Sequence, residues 1–151
     1  IVDVNTFPAA KTISAAFVEI EPGGMRELHW HPKAAEWQYY IQGQARMGVF
    51  NSNGVARTFD YRAGDVGVVP FVAGHYVQNT GDETLIFVEI FKYPEYSDIS
   101  ARKWLAANPA QIVADHLNVT TEFVESLPLE EQPAPVVWYD PSKATSTQRD
   151  S

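Results

Sequence analysis

Short apolar runs rich in Val, Ile, Phe and Tyr alternate with turn residues over residues 11–91. Alternation with a period of two, interrupted by Gly, Asn, Asp and Pro, is typical of β-strands joined by tight turns. Asn53-Gly54 is a residue pair that favours a two-residue hairpin. The pattern predicts strands near residues 12–20, 25–31, 36–42, 44–51, 55–60, 66–70, 75–79 and 83–91. Many short strands at even spacing indicate an all-β closed barrel or jelly roll.

The pattern changes after residue 98. Residues 99–107 have helical spacing, with Asp98 or Ser100 as the N-cap, and Asn108-Pro109 ends this helix. Two further short helices are predicted over 110–117 and about 121–127. From Leu127 onward proline and charged residues dominate. We therefore predict a barrel over 1–98, a helical segment over 99–127 that packs on the barrel or a neighbour, and an extended, partly disordered tail over 128–151.

The composition narrows the classes of function. A chain of 151 residues is long enough for one domain with a sizeable core. Its formal net charge is −8 and no basic cluster occurs, which argues against nucleic-acid binding. No apolar run approaches the length of a membrane span, so we expect no membrane partner. The absence of cysteine excludes disulfides, thiolate metal sites and cysteine nucleophiles.

Two features bear on processing and location. The chain begins with Ile1 rather than Met, so we expect a mature form or a fragment, with any targeting signal upstream. Asn118-Val119-Thr120 is a glycosylation sequon. The sequon favours an extracellular over a cytoplasmic location.

Three histidines and one glutamate carry the candidate chemistry. His29 and His31 lie two residues apart on a predicted strand, so their side chains share one face. Glu36 opens the next strand, and His75 follows a glycine at the start of a later one. Three imidazoles and a carboxylate suit a first-row divalent ion with positions left open for a substrate. The alternative is that these are ordinary polar residues on a solvated sheet face.

The spacing of these residues resembles the two motifs of the cupin superfamily. Gly23, His29-x-His31, Glu36 and Gly43 match the first motif, and Gly64, Pro70, Gly74-His75 and Asn79 match the second. This resemblance implies a double-stranded β-helix, or jelly-roll barrel, with His29, His31, Glu36 and His75 around one metal ion. His116 lies outside both motifs, in a helical segment, and we expect a surface or packing role for it.

Within the cupins, the chain closely resembles the oxalate decarboxylases. The resemblance is carried by MRELHWHPKAAEWQYYIQGQARMGVF, residues 25–50, and AGDVGVVPFVAGHYVQNTGDETLIFVEIFK, residues 63–92. Those enzymes are bicupins that bind manganese in each domain. The resemblance implies that this chain is the C-terminal cupin and that its partners are oxalate, the missing N-terminal cupin and further copies of the protein.

Two more residues are candidates for the pocket. Glu89 shares a strand face with Leu85, Phe87 and Phe91, and a carboxylate among apolar neighbours is costly unless it is paired. Arg26 precedes His29 by three residues, so alternation places it on the opposite face unless a bend after Gly24 redirects it. The alternatives are a structural Arg–Glu pair in the barrel wall, or a surface arginine. The resemblance instead places both residues in the pocket.

The implied activity is manganese-dependent cleavage of oxalate to formate and CO2, with dioxygen as co-catalyst. Arg26 would bind and polarise the substrate carboxyl group, and Glu89 would accept or relay a proton. Fe, Ni, Cu, Zn and Co are alternative metals for the same ligands.

The glutamate-bearing lid of the family's N-terminal cupin has no counterpart in residues 93–100, YPEYSDIS, where only Glu95 or Asp98 could substitute. The alternatives are therefore a non-catalytic metal-binding cupin that supports the missing domain, or an oxalate oxidase that yields peroxide. Exposure of Trp104 and Leu105 would support self-association or pairing with the missing domain.

Overall fold

A computed structural model describes residues 1–52, 54–129 and 136–138. Its strands and helices follow the predicted order closely. The strands are β1 Ser14–Ile20, β2 Gly24–Trp30, β3 Glu36–Gln42, β4 Gln44–Phe50, β5 Ala56–Arg62, β6 Val66–Val69, β7 Gly74–Asn79, β8 Leu85–Phe91, β9 Ile99–Ser100 and β10 Val136–Trp138. The helices are α1 Ala101–Ala106, α2 Ala110–Leu117 and α3 Thr121–Glu125.

The strands form two antiparallel sheets. One sheet has the order β1-β8-β3-β6, and the other has the order β10-β2-β7-β4-β5, with β9 also paired to β2. Strand order does not follow chain order, because the chain passes repeatedly between the two sheets. This arrangement confirms the predicted all-β jelly-roll barrel.

Alternation along the strands builds the core between the sheets. In β8, Leu85, Phe87 and Phe91 are buried together with Glu89, while Ile90 is exposed. In β3, Glu36, Gln38 and Tyr40 are buried while Trp37 and Tyr39 are exposed. Glu36, Gln38 and Glu89 therefore lie together on the inward faces beside Phe91, and the residues toward the other end of these strands are the apolar core. That division separates a candidate site from the supporting core.

The motif glycine Gly43 is required by the turn between β3 and β4. Its φ is +83°, in the region that favours glycine. A Cβ at this position would lie 2.9 Å from the Leu85 Cα atom. Both the backbone conformation and the close approach of β8 therefore exclude other residues. Asn79, the last residue of the second motif, is also structural, because its side-chain Nδ2 donates to the carbonyl oxygens of Ile20 and Glu83.

The three helices form a small apolar cluster of their own beyond β9. Val113, Ala114 and Val124 are buried, and Leu105 packs against them. Ser100 is the N-cap of α1, where its hydroxyl accepts from the Lys103 amide. Asp98, the other predicted cap, makes a different contact, described below. None of the helices in the described residues is long and apolar enough to cross a membrane.

The helical segment also bears on two earlier expectations. Trp104 is 55% exposed, whereas Leu105 is half-buried against the helical cluster, so of these two residues it is Trp104 that offers an exposed apolar surface. Asn118, the sequon residue, is exposed at the end of α2. The extracellular location stays a prediction, as do the domain boundaries.

Part of the predicted tail is ordered as a strand. β10 pairs antiparallel with β2, with Val137 opposite Met25 and Trp138 opposite Gly24. Residues 130–135 and 139–151 lie outside the described residues.

Candidate metal centre

The structure brings the four predicted ligands to one point between the sheets. His29 and His75 are paired residues on β2 and β7 of the larger sheet, and Glu36 begins β3 of the smaller one. His31 follows β2 by one residue. All four side chains are buried, and one potential ligand atom from each lies within 4.8 Å of the others. The solvated-face alternative is therefore wrong.

Backbone carbonyls orient all three imidazoles. The Nδ1 atoms of His29, His31 and His75 lie 2.6, 3.0 and 3.1 Å from the carbonyl oxygens of Glu27, Ser97 and Ala73, respectively. A carbonyl oxygen only accepts, so each neutral ring carries its hydrogen on Nδ1. The lone pair of each Nε2 is then free for a metal ion.

The inward atoms fit a divalent cation. The Nε2 atoms of the three histidines and Oε2 of Glu36 are buried without a hydrogen-bond partner among the described residues. Glu36 Oε2 lies 3.1 Å from His31 Nε2 and 2.8 Å from His75 Nε2. Buried polar atoms are rarely left without partners, and a metal ion would satisfy these four at once. The nitrogen and oxygen donor set suits a first-row metal.

The protonation states favour metal binding as well. Burial, with the positive charge of Arg26, holds the pKa of His29 well below its usual value, so this ring stays neutral in mild acid. Burial of the Glu36 carboxyl opposes ionisation, but contacts with His31 and His75 outweigh it and lower the Glu36 pKa. Neutral imidazole and ionised carboxylate are the forms that bind metal.

Gln38 was not predicted as a site residue, yet it positions Glu36. Its Nε2 donates to Glu36 Oε1 at 2.7 Å, and its Oε1 accepts from the Tyr40 hydroxyl at 2.6 Å. These residues are two apart on β3 and share its inward face. The predicted strand over 36–42 contained this signal, because it placed Gln38 beside Glu36.

We expect Gln38→Met to weaken binding of a divalent metal by about tenfold, since the partner that fixes a ligating carboxylate is lost. Calorimetric titration of the metal-free chain measures this. Gln42→Met is the matched control, because Gln42 lies on the same strand but donates to the carbonyl oxygen of Thr84, away from the ligands. An unchanged affinity in Gln38→Met would show that Glu36 needs no such support.

Arg26 is buried on the same side as His29, against simple alternation. The pairing of β2 with β7 shifts register between Arg26 and His29, and an irregularity of this kind resets which residues face inward. The expected bend after Gly24 was therefore misplaced, since the irregularity follows Arg26. Arg26 is no surface residue: its side chain is 2% exposed.

The guanidinium of Arg26 contacts the segment between β8 and β9, residues 92–98, which we call the connecting segment. Its Nη2 donates to Asp98 Oδ2 at 2.5 Å and to the Tyr96 hydroxyl at 3.2 Å. Its Nη1 is buried without a hydrogen-bond partner among the described residues. The sequence did not indicate Tyr96, and it indicated Asp98 only as an N-cap or a substitute lid acid, because irregular segments carry no periodicity.

Glu89 is the second ionisable group beside the cluster. Both of its carboxyl oxygens are buried and without hydrogen-bond partners among the described residues. Burial raises its pKa well above the ordinary value, and the charge of Glu36 adds to this, while Arg26 opposes it. A carboxyl group that holds its proton is suited to proton transfer. His116, in contrast, is exposed on α2, as expected.

Comparison with known proteins identifies the family of the chain. The family model for cupins matches residues 1–125. The chain belongs to the cupin family. Among curated relatives of this cupin, oxalate decarboxylase of Bacillus subtilis is 56% identical over 133 residues, which is 88% of this chain and 34% of that protein. A probable oxalate decarboxylase of Arthroderma benhamiae is 48% identical, over 87% of this chain and 33% of that protein.

Solved structures show the same similarity. A B. subtilis oxalate decarboxylase described as having Mn(II) centres superimposes with a TM-score of 0.87 and 54% identity, covering 92% of this chain and 36% of that chain. A formate complex of the Lactobacillus farciminis enzyme gives a TM-score of 0.83 and 66% identity, covering 85% and 38%. This cupin thus spans about a third of the length of these relatives.

Proposed function

We propose that this cupin binds manganese through His29, His31, Glu36 and His75 and takes part in cleaving oxalate to formate and CO2. The observation that carries the proposal is the burial of Arg26 and Glu89 beside the ligand cluster. A purely structural metal site would need neither group. The similarity to oxalate decarboxylases supports the substrate, and the Mn(II) centres of the similar B. subtilis enzyme support the metal.

The roles of the two charged residues follow from their surroundings. Arg26 is held rigidly by burial, and its planar guanidinium suits bidentate binding of a carboxylate. It would orient oxalate and stabilise charge on the carboxyl group that stays. Glu89, whose pKa is raised, would hold or accept a proton beside that group. The bound metal would supply charge stabilisation and redox chemistry, with dioxygen as co-catalyst.

The decisive experiment uses the purified chain loaded with Mn²⁺, with occupancy measured by elemental analysis. Formate and hydrogen peroxide are assayed together after incubation with oxalate in air at mildly acidic pH. Formate well above a metal-free control supports a decarboxylase. Peroxide with little formate would identify an oxidase, and neither product with a full metal site would identify a cupin that depends on its missing partner.

If the chain turns over oxalate, Arg26→Lys and Glu89→Gln should each lower kcat/KM by at least about a hundredfold, a loss typical of general acid–base and charge-stabilising groups. Mn²⁺ content measured in the same samples should be unchanged, because neither residue is a proposed ligand. A normal rate in either variant would contradict the role given to that residue.

The partners follow from the length of the relatives. Because the chain spans about a third of them, we propose that it pairs with a second cupin domain, and that the assembly self-associates. Exposed Trp104, which meets Trp30 edge to face at 6.1 Å between ring centroids, marks a candidate contact surface. The extracellular location suggested by the sequon is likewise a proposal.

A further inference from the structure

The guanidinium group assigned to substrate already holds a carboxylate of the protein itself. Asp98 Oδ2 lies 2.5 Å from Arg26 Nη2, a charge-assisted contact of the kind that a substrate carboxylate would make. Arg26 Nη1 has no hydrogen-bond partner among the described residues, but a substrate carboxylate held by two parallel bonds also needs Nη2, which already donates to Asp98 and Tyr96. Oxalate and Asp98 therefore compete for one edge of Arg26, unless Asp98 moves.

Exposure shows which partner can move. The Arg26 side chain is 2% exposed and the Asp98 side chain is 30% exposed. Glu89, the other carboxyl group that interacts with Arg26, is buried as well. When Asp98 leaves Arg26 it can be hydrated at once, whereas Arg26 and Glu89 cannot. Asp98 is thus the replaceable partner of the guanidinium.

The connecting segment can keep its place while the Asp98 side chain rotates. Its backbone is fastened separately, because the Ser97 carbonyl oxygen contacts His31 Nδ1 and the Pro94 carbonyl oxygen accepts from the Val4 amide. The Tyr96 amide also donates to Asp3 Oδ2 at 3.3 Å. Displacement of Asp98 therefore requires a change of side-chain rotamer, not opening of the segment.

We propose that Asp98 is an internal competitor that sets the affinity for a substrate carboxylate at Arg26. This rests on the proposed function, in which Arg26 binds oxalate. Only an anion that interacts with both the metal and Arg26 would displace Asp98 efficiently. Asp98 would therefore weaken the binding of simple monocarboxylates. Asp98 is a specificity-determining residue in this account and takes no part in proton transfer.

A positioning role for Asp98 makes the opposite prediction. If Asp98 merely holds Arg26 in place, removing its charge weakens oxalate binding. If it competes, removing its charge strengthens binding. The sign of the change in Kd therefore separates the two roles.

The test measures binding without turnover. The chain is loaded with Zn²⁺, which suits histidine and carboxylate ligands and has no redox chemistry. Oxalate is titrated calorimetrically into wild type, Asp98→Asn and Asp98→Ala, and zinc is assayed afterwards to confirm that oxalate has not extracted it. Both variants are expected to bind oxalate about tenfold more tightly than wild type, since a charge-assisted hydrogen bond no longer has to be broken.

Glu95→Gln is the matched control. Glu95 lies in the same connecting segment but pairs with Lys33 Nζ at 2.5 Å rather than with Arg26. Replacing Glu95 by Gln removes one negative charge, as each Asp98 substitution does, and should leave the Kd for oxalate unchanged. Equal tightening in this variant would overturn the inference, because general electrostatics would then explain the effect.

The remaining outcomes separate this inference from the proposed function. Wild-type binding with unchanged or weaker binding in both Asp98 variants would overturn the competitor role alone. No binding by wild type or variants, with zinc retained, would overturn both the competitor role and oxalate as the substrate.

Discussion

His75→Ala is expected to lower the affinity for Mn²⁺ or Zn²⁺ by at least about a hundredfold and to abolish any turnover of oxalate. His75 Nε2 lies 2.8 Å from Glu36 Oε2, and its ring is fixed by the Ala73 carbonyl oxygen. Losing a ligand should cost more than losing a group that only orients one, which is worth 10- to 100-fold in metal affinity. Calorimetric titration of the metal-free chain measures the loss directly.

His116→Ala is the control, because it removes the same side chain from the exposed face of α2. Its metal affinity should equal that of wild type. If His75→Ala bound metal as tightly as His116→Ala, the three remaining residues would suffice and His75 would be no ligand.

Metal content would also affect the charge balance of the pocket. Glu36, Glu89 and Asp98 supply three carboxyl groups around Arg26, the cation that contacts Asp98. With all three ionised, a divalent ion would bring the local formal charge to zero. Without the ion, the pocket loses its excess negative charge at the lowest free-energy cost when a buried carboxyl group keeps its proton. Glu89 is the group whose pKa is raised. The metal and the protonation of Glu89 are therefore coupled.

The sequence predicted the barrel and the ligand cluster well, for physical reasons. Side chains two residues apart on a strand share a face, and this alternation placed His29 with His31 and Glu89 with Phe87. The turns were marked by residues such as Gly43, whose positive φ few other residues adopt. Alternation placed side chains within one strand, whereas the gathering of Glu36 and His75 with the two histidines was implied by the resemblance to the cupin motifs.

What the sequence did not predict depends on irregular backbone. Arg26 turns inward because β2 breaks register before His29, and nothing in the alternation marks that break. Tyr96 and Asp98 reach Arg26 across about 70 residues of chain from a segment without regular structure. Such contacts are set by tertiary packing, so no local pattern in the sequence indicates the pairing of Asp98 with Arg26.

Glu89→Gln is expected to stabilise the metal-free protein at neutral pH and to have little effect near pH 4. In the folded protein the raised pKa keeps Glu89 protonated, whereas in the unfolded chain the group ionises above its ordinary value of 4.5. The folded state of wild type therefore holds more protons, and its stability falls as pH rises above 4.5 toward the folded pKa. Glutamine does not titrate, so the variant avoids this loss of stability.

Thermal unfolding of both metal-free proteins between pH 4 and 7 tests this, with a difference in Tm of about 2–4 °C for each kcal/mol. Titration of His29 and Glu36 is common to both proteins and largely cancels in the difference. Glu83→Gln, which changes an exposed carboxyl group, should show no such trend. A difference that stayed constant with pH would mean that folding leaves the pKa of Glu89 unchanged, contrary to this prediction. Binding of Zn²⁺ should shrink the difference, because a cation beside Glu36 favours the ionised form of its neighbour Glu89.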